Sequence, residues 1–172
     1  MSNELKNIDE GLLIDFIYHN LTAYSIVPML SNTSYSWKDK LFLIVEDDPA
    51  SSLLLEIILS RTGAKLLFAS SGEKAVEIVK RTKGLDLVLM DIKMSGINGL
   101  QATTLIKKIA PEIPIIAQTA CVVYGDKERC IQSGCSGYMT KPIIAETLLE
   151  IIQIQLDETL LRDVFQDPFC SN

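Results

Sequence analysis

The residues with the most chemistry in them stand at the ends of apolar runs. Asp91 closes the run Leu87, Val88, Leu89, Met90. Glu46, Asp47 and Asp48 follow LFLIV, residues 41–45. Thr119 closes IPIIAQT, residues 113–119, and Lys141 follows SGYMT, residues 136–140. If these ends meet, carboxylates, a hydroxyl and an ammonium share one edge. Carboxylates crowded together repel and raise one another's pKa unless something neutralises them. Lys141 brings one positive charge, and a divalent cation brings two more. Hard carboxylate oxygens suit Mg2+, which keeps several waters and often shares a phosphate oxygen. A carboxylate beside Mg2+, a lysine and a hydroxyl suits a phosphoryl group. Asp91 is then a nucleophile that forms an acyl phosphate. Metal and lysine neutralise the charge on the transferring group, and Thr119 donates a hydrogen bond to it. The plainer reading is that each acid caps a helix or solvates a loop. It covers any single residue, but not groups at four strand ends at once.

Those ends need elements to carry them. LFLIV (41–45), KLLFA (65–69), DLVLM (86–90), IPIIAQT (113–119) and SGYMT (136–140) read as strands. Helices are expected between and after them: about Ala50 to Arg61, one that Ser71 and Gly72 precede, Gly99 to Ala110, Asp126 to Ser133, and Pro142 to about Leu156. Leu53, Leu54, Ile57 and Ile58 share one face of the first helix, and Ala75, Val76 and Val79 point inward from the second. Pro49 pre-sets the entry to the first helix and Gly63 ends it. Strands alternating with helices five times predict an α/β fold, a doubly wound parallel sheet covered on both faces. Continuous apolar strands agree, because doubly covered strands need no polar side. In such sheets a ligand site lies outside the carboxyl ends of the strands.

Composition sets the outer bounds. The 172 residues are 48% hydrophobic and 22% charged, an ordinary globular balance. A net charge of −6 argues against a general nucleic-acid binder. The cysteines at 121, 130, 135 and 170 fit no zinc spacing. They read as free thiols in a reducing cytoplasm, with Cys130 and Cys135 as small buried hydrophobes. Residues 1–10 are polar and show no signal peptide. Residues 11–30 are apolar, but Asp15, His19, Asn20 and Pro28 interrupt them, so an amphipathic helix is expected rather than a membrane span.

The site residues resemble the receiver domain of two-component response regulators, over roughly residues 40–156. IVEDD resembles that family's acidic pair at Glu46 and Asp47, with Asp48 in the variable third place. LVLMDIKMSGINGL resembles the phosphoacceptor strand and its loop, and GYMTKP the segment of the family's lysine. The spacings 91 − 47 = 44 and 141 − 119 = 22 suit the family. The run QTA, GDKERC, SGC, TKPI is most similar to the receivers of hybrid sensor histidine kinases.

The resemblance implies a flavodoxin-like (βα)5 sheet with strand order 2-1-3-4-5. It implies that Asp91 accepts a phosphoryl group from a histidine kinase or phosphotransfer protein, with Thr119 and Lys141 assisting. Mg2+ would be held by Glu46, Asp47, Asp91 and the carbonyl of Lys93. Thr119 would move inward, Tyr138 would rotate, and the face around the fourth helix, fifth strand and last helix would change for a downstream protein partner. Such a chain assists its own phosphoryl transfer and dephosphorylation and is not itself a kinase. Lys93 and Cys121 would tune the lifetime of the phosphate. One position departs from the family: Met94 is followed by Ser95 where proline is usual. Serine should loosen the loop and leave the chemistry alone.

Other readings of the same residues remain open. The chain could be the receiver portion of a hybrid sensor kinase, or a pseudo-receiver used for docking. A Mg2+-dependent phosphatase is disfavoured because Lys93 stands where such enzymes carry a second aspartate. The context of His19, FIYHNLTAY, does not resemble a kinase histidine. The expected layout is an N-terminal extension over 1–37, a receiver over 38–156, and a tail over 157–172 that extends the last helix. The extension either packs on its own domain or pairs two chains as a homodimer. About a dozen residues after the receiver are too few for a helix-turn-helix module, so no DNA-binding output is expected.

Overall fold

The computed structural model describes residues 35–120 and 126–166. The expectations placed on His19, on residues 11–30, on Cys121 and Cys170, and on the end beyond Pro168 lie outside these residues. From Tyr35 onward the chain forms a compact unit of its own.

Among the described residues five strands and five helices alternate: β1 (Leu41–Val45), α1 (Pro49–Ser60), β2 (Lys65–Ala69), α2 (Gly72–Arg81), β3 (Leu87–Asp91), α3 (Gly99–Ile109), β4 (Ile115–Thr119), α4 (Asp126–Ser133), β5 (Gly137–Thr140) and α5 (Ala145–Gln166). All pairings are parallel and the strand order is β2-β1-β3-β4-β5. The expected α/β doubly wound sheet, order 2-1-3-4-5, is the fold observed.

Strand alternation sorts the core into two halves. Phe42, Ile44, Leu87, Leu89, Ile116 and Met139 pack against α1 and α5. Leu43, Val45, Val88, Met90 and Ile115 pack against α2 and α3. On α1 the buried stripe is Leu55, Ile58 and Leu59, with Leu53, Leu54 and Ile57 half-buried. The expected face therefore turns: the stripe aimed at the sheet lies one position on at Leu55 and Leu59, and spacings of three and four keep it together. Ala75, Val76 and Val79 are buried from α2 as expected.

Element ends moved where local hydrogen bonding decided them. The third strand starts at Leu87 because the Asp86 carboxylate accepts the Leu41 N–H at 2.8 Å and pairs with Lys40 at 2.9 Å. The fourth starts at Ile115, since Pro114 has no N–H to give to the ladder. The last helix starts at Ala145, three residues after Pro142; the Lys141–Pro142 peptide is cis and the chain turns there first.

Within the polar stretch 31–40, Trp37 belongs to the core. It is buried at 4% exposure. Its backbone N–H donates to the Thr62 carbonyl at 2.8 Å and its indole Nε1 to Gln153 Oε1 at 3.0 Å. Its ring lies between those of Tyr35 and Phe42, at 5.4 and 5.5 Å between centroids.

Candidate functional site: an acidic cluster at the strand ends

β1, β3 and β5 deliver their side chains to one place. Glu46, directly after β1, is buried, and its N–H donates to the Ala69 carbonyl at 3.0 Å. Asp91, the last residue of β3, is buried at 4% exposure. Glu46, Asp47 and Asp91 each offer a carboxylate oxygen within 4.8 Å of the others. Lys141 enters from the end of β5. Its Nζ donates to Glu46 Oε2 at 2.7 Å and to Asp91 Oδ2 at 2.8 Å. The contact to Glu46 joins positions 95 apart in the chain.

The electrostatics follow from burial and charge count. Burial holds the Glu46 carboxyl above its ordinary range, and Asp91 adds to this against the pull of Lys141. Burial alone would lower the Lys141 ammonium, but hydrogen bonds and charge from Asp91 and Glu46 outweigh it and hold the group above the usual lysine value. One ammonium among three carboxylates leaves the cluster negative. Three hard oxygen donors so close, with a charge deficit, fit a divalent cation such as Mg2+.

The loop after β3 is tied down at three points, two of them in the cluster. The Lys93 N–H donates to Asp91 Oδ1 at 3.1 Å and the Ser95 N–H to Asp47 Oδ2 at 3.3 Å. The Ile97 N–H donates to Glu73 Oε1 at 2.8 Å, and this bond lowers the Glu73 pKa. Gly96 takes φ +82 with the Glu73 carboxylate against it, where a side chain would be both strained and crowded. At Gly99 a Cβ would lie 2.0 Å from the Asp91 carbonyl oxygen, so α3 can seat its first turn on β3 only with glycine there.

Each expected residue can now be placed. Glu46, Asp47, Asp91 and Lys141 converge. Thr119, buried at the end of β4, accepts the Lys141 N–H on its carbonyl at 2.7 Å. It lines a groove of about 460 Å³ together with Lys93, Met94, Asn98 and Arg129. Tyr138 is 37% exposed and lines a second groove, of about 340 Å³, with Ile131, Cys135 and Ile154. Asp48 stays out of the cluster: it N-caps α1, its Oδ2 accepting the Ser51 N–H at 2.8 Å and hydroxyl at 2.7 Å, which lowers its pKa. Cys130 is buried and Cys135 half-buried.

Sequence reasoning missed Ser95 and Glu73. Ser95 was read as leaving the chemistry alone, yet its backbone N–H reaches a cluster carboxylate. Glu73 gave the signal of any acid in a first helical turn, and nothing local to it points at the β3 loop.

The family model of the response regulator receiver domain matches residues 42–153. The chain belongs to the response regulator receiver family. This receiver is 36% identical over 115 residues to the sensor histidine kinase GacS of Pseudomonas protegens, spanning 64% of this chain and 12% of that kinase. It is 34% identical over 121 residues to the response regulator DivK of Brucella ovis, spanning 69% of this chain and 98% of DivK. So this receiver covers only a small part of the length of the hybrid kinases it matches.

Two solved structures are informative neighbours. The receiver domain of the sensor histidine kinase PA1611 of Pseudomonas aeruginosa PAO1, with magnesium coordinated in its active-site cleft, matches at TM-score 0.64 and 32% identity. That match covers 69% of this chain and 98% of that one. The receiver of Ssk1, in a complex with the histidine phosphotransfer protein Ypd1 of Saccharomyces cerevisiae, matches at TM-score 0.64 and 27% identity over 70% of this chain and 90% of that one. As a receiver, this fold is not itself a kinase. Among the described residues no helix is long and apolar enough to cross a membrane.

Proposed function

We propose that this receiver accepts a phosphoryl group on Asp91 from the phosphohistidine of a histidine kinase or phosphotransfer protein. Lys141 bridging Asp91 and Glu46 at 2.8 and 2.7 Å is the observation that carries the reading. An Asp91 carboxylate oxygen attacks phosphorus, the P–O bond forms, and the P–N bond to the imidazole breaks. The imidazole nitrogen leaves with the electron pair and takes up a proton. Lys141 holds Asp91 in place and neutralises charge on the phosphoryl oxygens, and Thr119 donates to one of them. Glu46, Asp47, Asp91 and the Lys93 carbonyl would hold Mg2+, which when bound offsets the charge of the transferring group. Thr119 and Tyr138 then shift between two states, and the phosphoryl group favours one of them. The surface that changes is the one around α4, β5 and α5, read by a downstream protein partner.

The same reading places the chain in the cytoplasm. Likeness to DivK favours a free-standing regulator, and likeness to GacS favours the receiver portion of a hybrid sensor kinase. The test is intact-protein mass after incubation with Mg2+ and acetyl phosphate, beside Asp91→Ala. A phosphoryl adduct that needs Mg2+, is lost in base and is absent from the variant is the expected result. No adduct on a wild-type protein that binds Mg2+ would overturn the phosphoacceptor reading and leave a pseudo-receiver that docks.

A further inference from the structure

Among the described residues, one buried polar side chain has no hydrogen bond. Gln118 is fully buried, at 0% exposure, and both its Nε2 and its Oε1 lack a partner. A buried amide left unpaired is a net cost, and an apolar residue of the same size would avoid it. A cost retained beside a functional site suggests a state in which the group is paired.

The position narrows what the partner is. Gln118 stands on β4 opposite Asp91 of β3 and Met139 of β5. Alternation puts it on the face of Ile116, the α1 and α5 side. Asp91 follows Leu89 on that same face, and Lys141 follows Met139. The strand order is β3-β4-β5, so Lys141 crosses β4 to reach Asp91 Oδ2 at 2.8 Å. An ammonium has three N–H donors, and those to Glu46 Oε2 and Asp91 Oδ2 account for two.

We propose that Gln118 is a positioning residue of the switch, its amide oxygen accepting the third Lys141 N–H once the lysine follows a phosphoryl group on Asp91. The inference rests on the phosphoacceptor reading. A group unpaired in one state and paired in the other shifts the balance toward the second by the difference. Gln118 would then favour the phosphorylated form without touching phosphate.

The test compares thermal unfolding of the wild type and Gln118→Met, alone and with Mg2+ plus beryllofluoride, which mimics a phosphoryl group on Asp91. Methionine keeps the volume and removes both polar atoms. Without the mimic, the variant should unfold about 2–4 °C higher. With it, the wild type should gain more, by about the same number of degrees, so the two curves close up. Equal gains in both proteins would overturn the proposal, since a purely structural glutamine changes both states alike. Gln118→Leu repeats the comparison and must agree. A wild type that gains nothing from the mimic would overturn the receiver chemistry itself, and this proposal with it.

Discussion

Ser95 gives its backbone N–H to Asp47, which a proline at that position has no N–H to do. Asp47 is the exposed member of the acidic cluster, so this bond limits the rotamers it samples. Outer hydrogen bonds of this kind orient metal ligands, and losing one typically weakens binding. Ser95→Pro should therefore bind Mg2+ more weakly, by up to about tenfold, while Ser95→Ala keeps the N–H and binds normally. Calorimetric titration with Mg2+ separates the two. Glu46 makes a pH argument. Its folded pKa lies above the ordinary value of 4.5 because burial disfavours the anion. A carboxyl raised on folding favours the native state below 4.5 and loses that benefit as pH rises through the folded value. In metal-free buffer, Glu46→Gln should raise the unfolding midpoint at pH 7, and the gain should vanish below about pH 4.5. An equal gain at both pH values would assign the effect to packing. The acids, Thr119 and Lys141 were legible because residue types at strand ends carry their own signal. The Ser95 contact was not, since a backbone N–H looks the same at every position but proline.

At the scale of elements, α3 is fixed to β3 by its first residues. Asn98 caps it, accepting the Gln101 N–H at 2.9 Å, and the Gln101 side chain accepts the Asn98 N–H at 3.0 Å. Asn98→Ala should cost about 1 kcal/mol in denaturant unfolding. Gly99→Ala should cost at least about 3 kcal/mol and weaken Mg2+ binding, because the atom in the way is the carbonyl of Asp91 itself. A Gly99→Ala protein with wild-type stability and Mg2+ affinity would sink that account. Here the sequence was read well for element type and less well for facing. Six apolar residues crowd the helix, Leu53 to Leu55 and Ile57 to Leu59, and periodicity alone does not choose between the stripe through Leu54 and the one through Leu55. The sheet chooses, and it is assembled from strands distant in the chain. The Gly99 requirement was equally hidden, since the crowding comes from a residue eight positions earlier.

For the whole molecule, the boundary of the folded unit is decided by Trp37. The polar run 31–40 reads as a linker, and the expected receiver began at residue 38. The buried indole, bonded to Gln153 on α5, ties the segment before β1 to the last helix. A chain beginning at Tyr35 should keep the stability of this unit, whereas one beginning at Lys38 should lose about 3–5 kcal/mol, as for other buried tryptophans. Equal denaturant midpoints for the two would show that the tryptophan contributes little. Composition hid this, because two aromatics, Tyr35 and Trp37, among serines and charged residues leave the local average polar.

The Lys141–Glu46 bond also has a meaning in time. It joins positions 95 apart, and Asp91 lies between them. During synthesis the acids and Asp91 leave the ribosome well before Lys141. At ~5–20 residues per second, the fifty positions from Asp91 to Lys141 take several seconds. Through that interval the nascent chain holds Asp91 without the lysine that pairs with it. Until then the Asp91 carboxylate has no ammonium beside it, and the cluster is complete only once the residue after the last strand has been made.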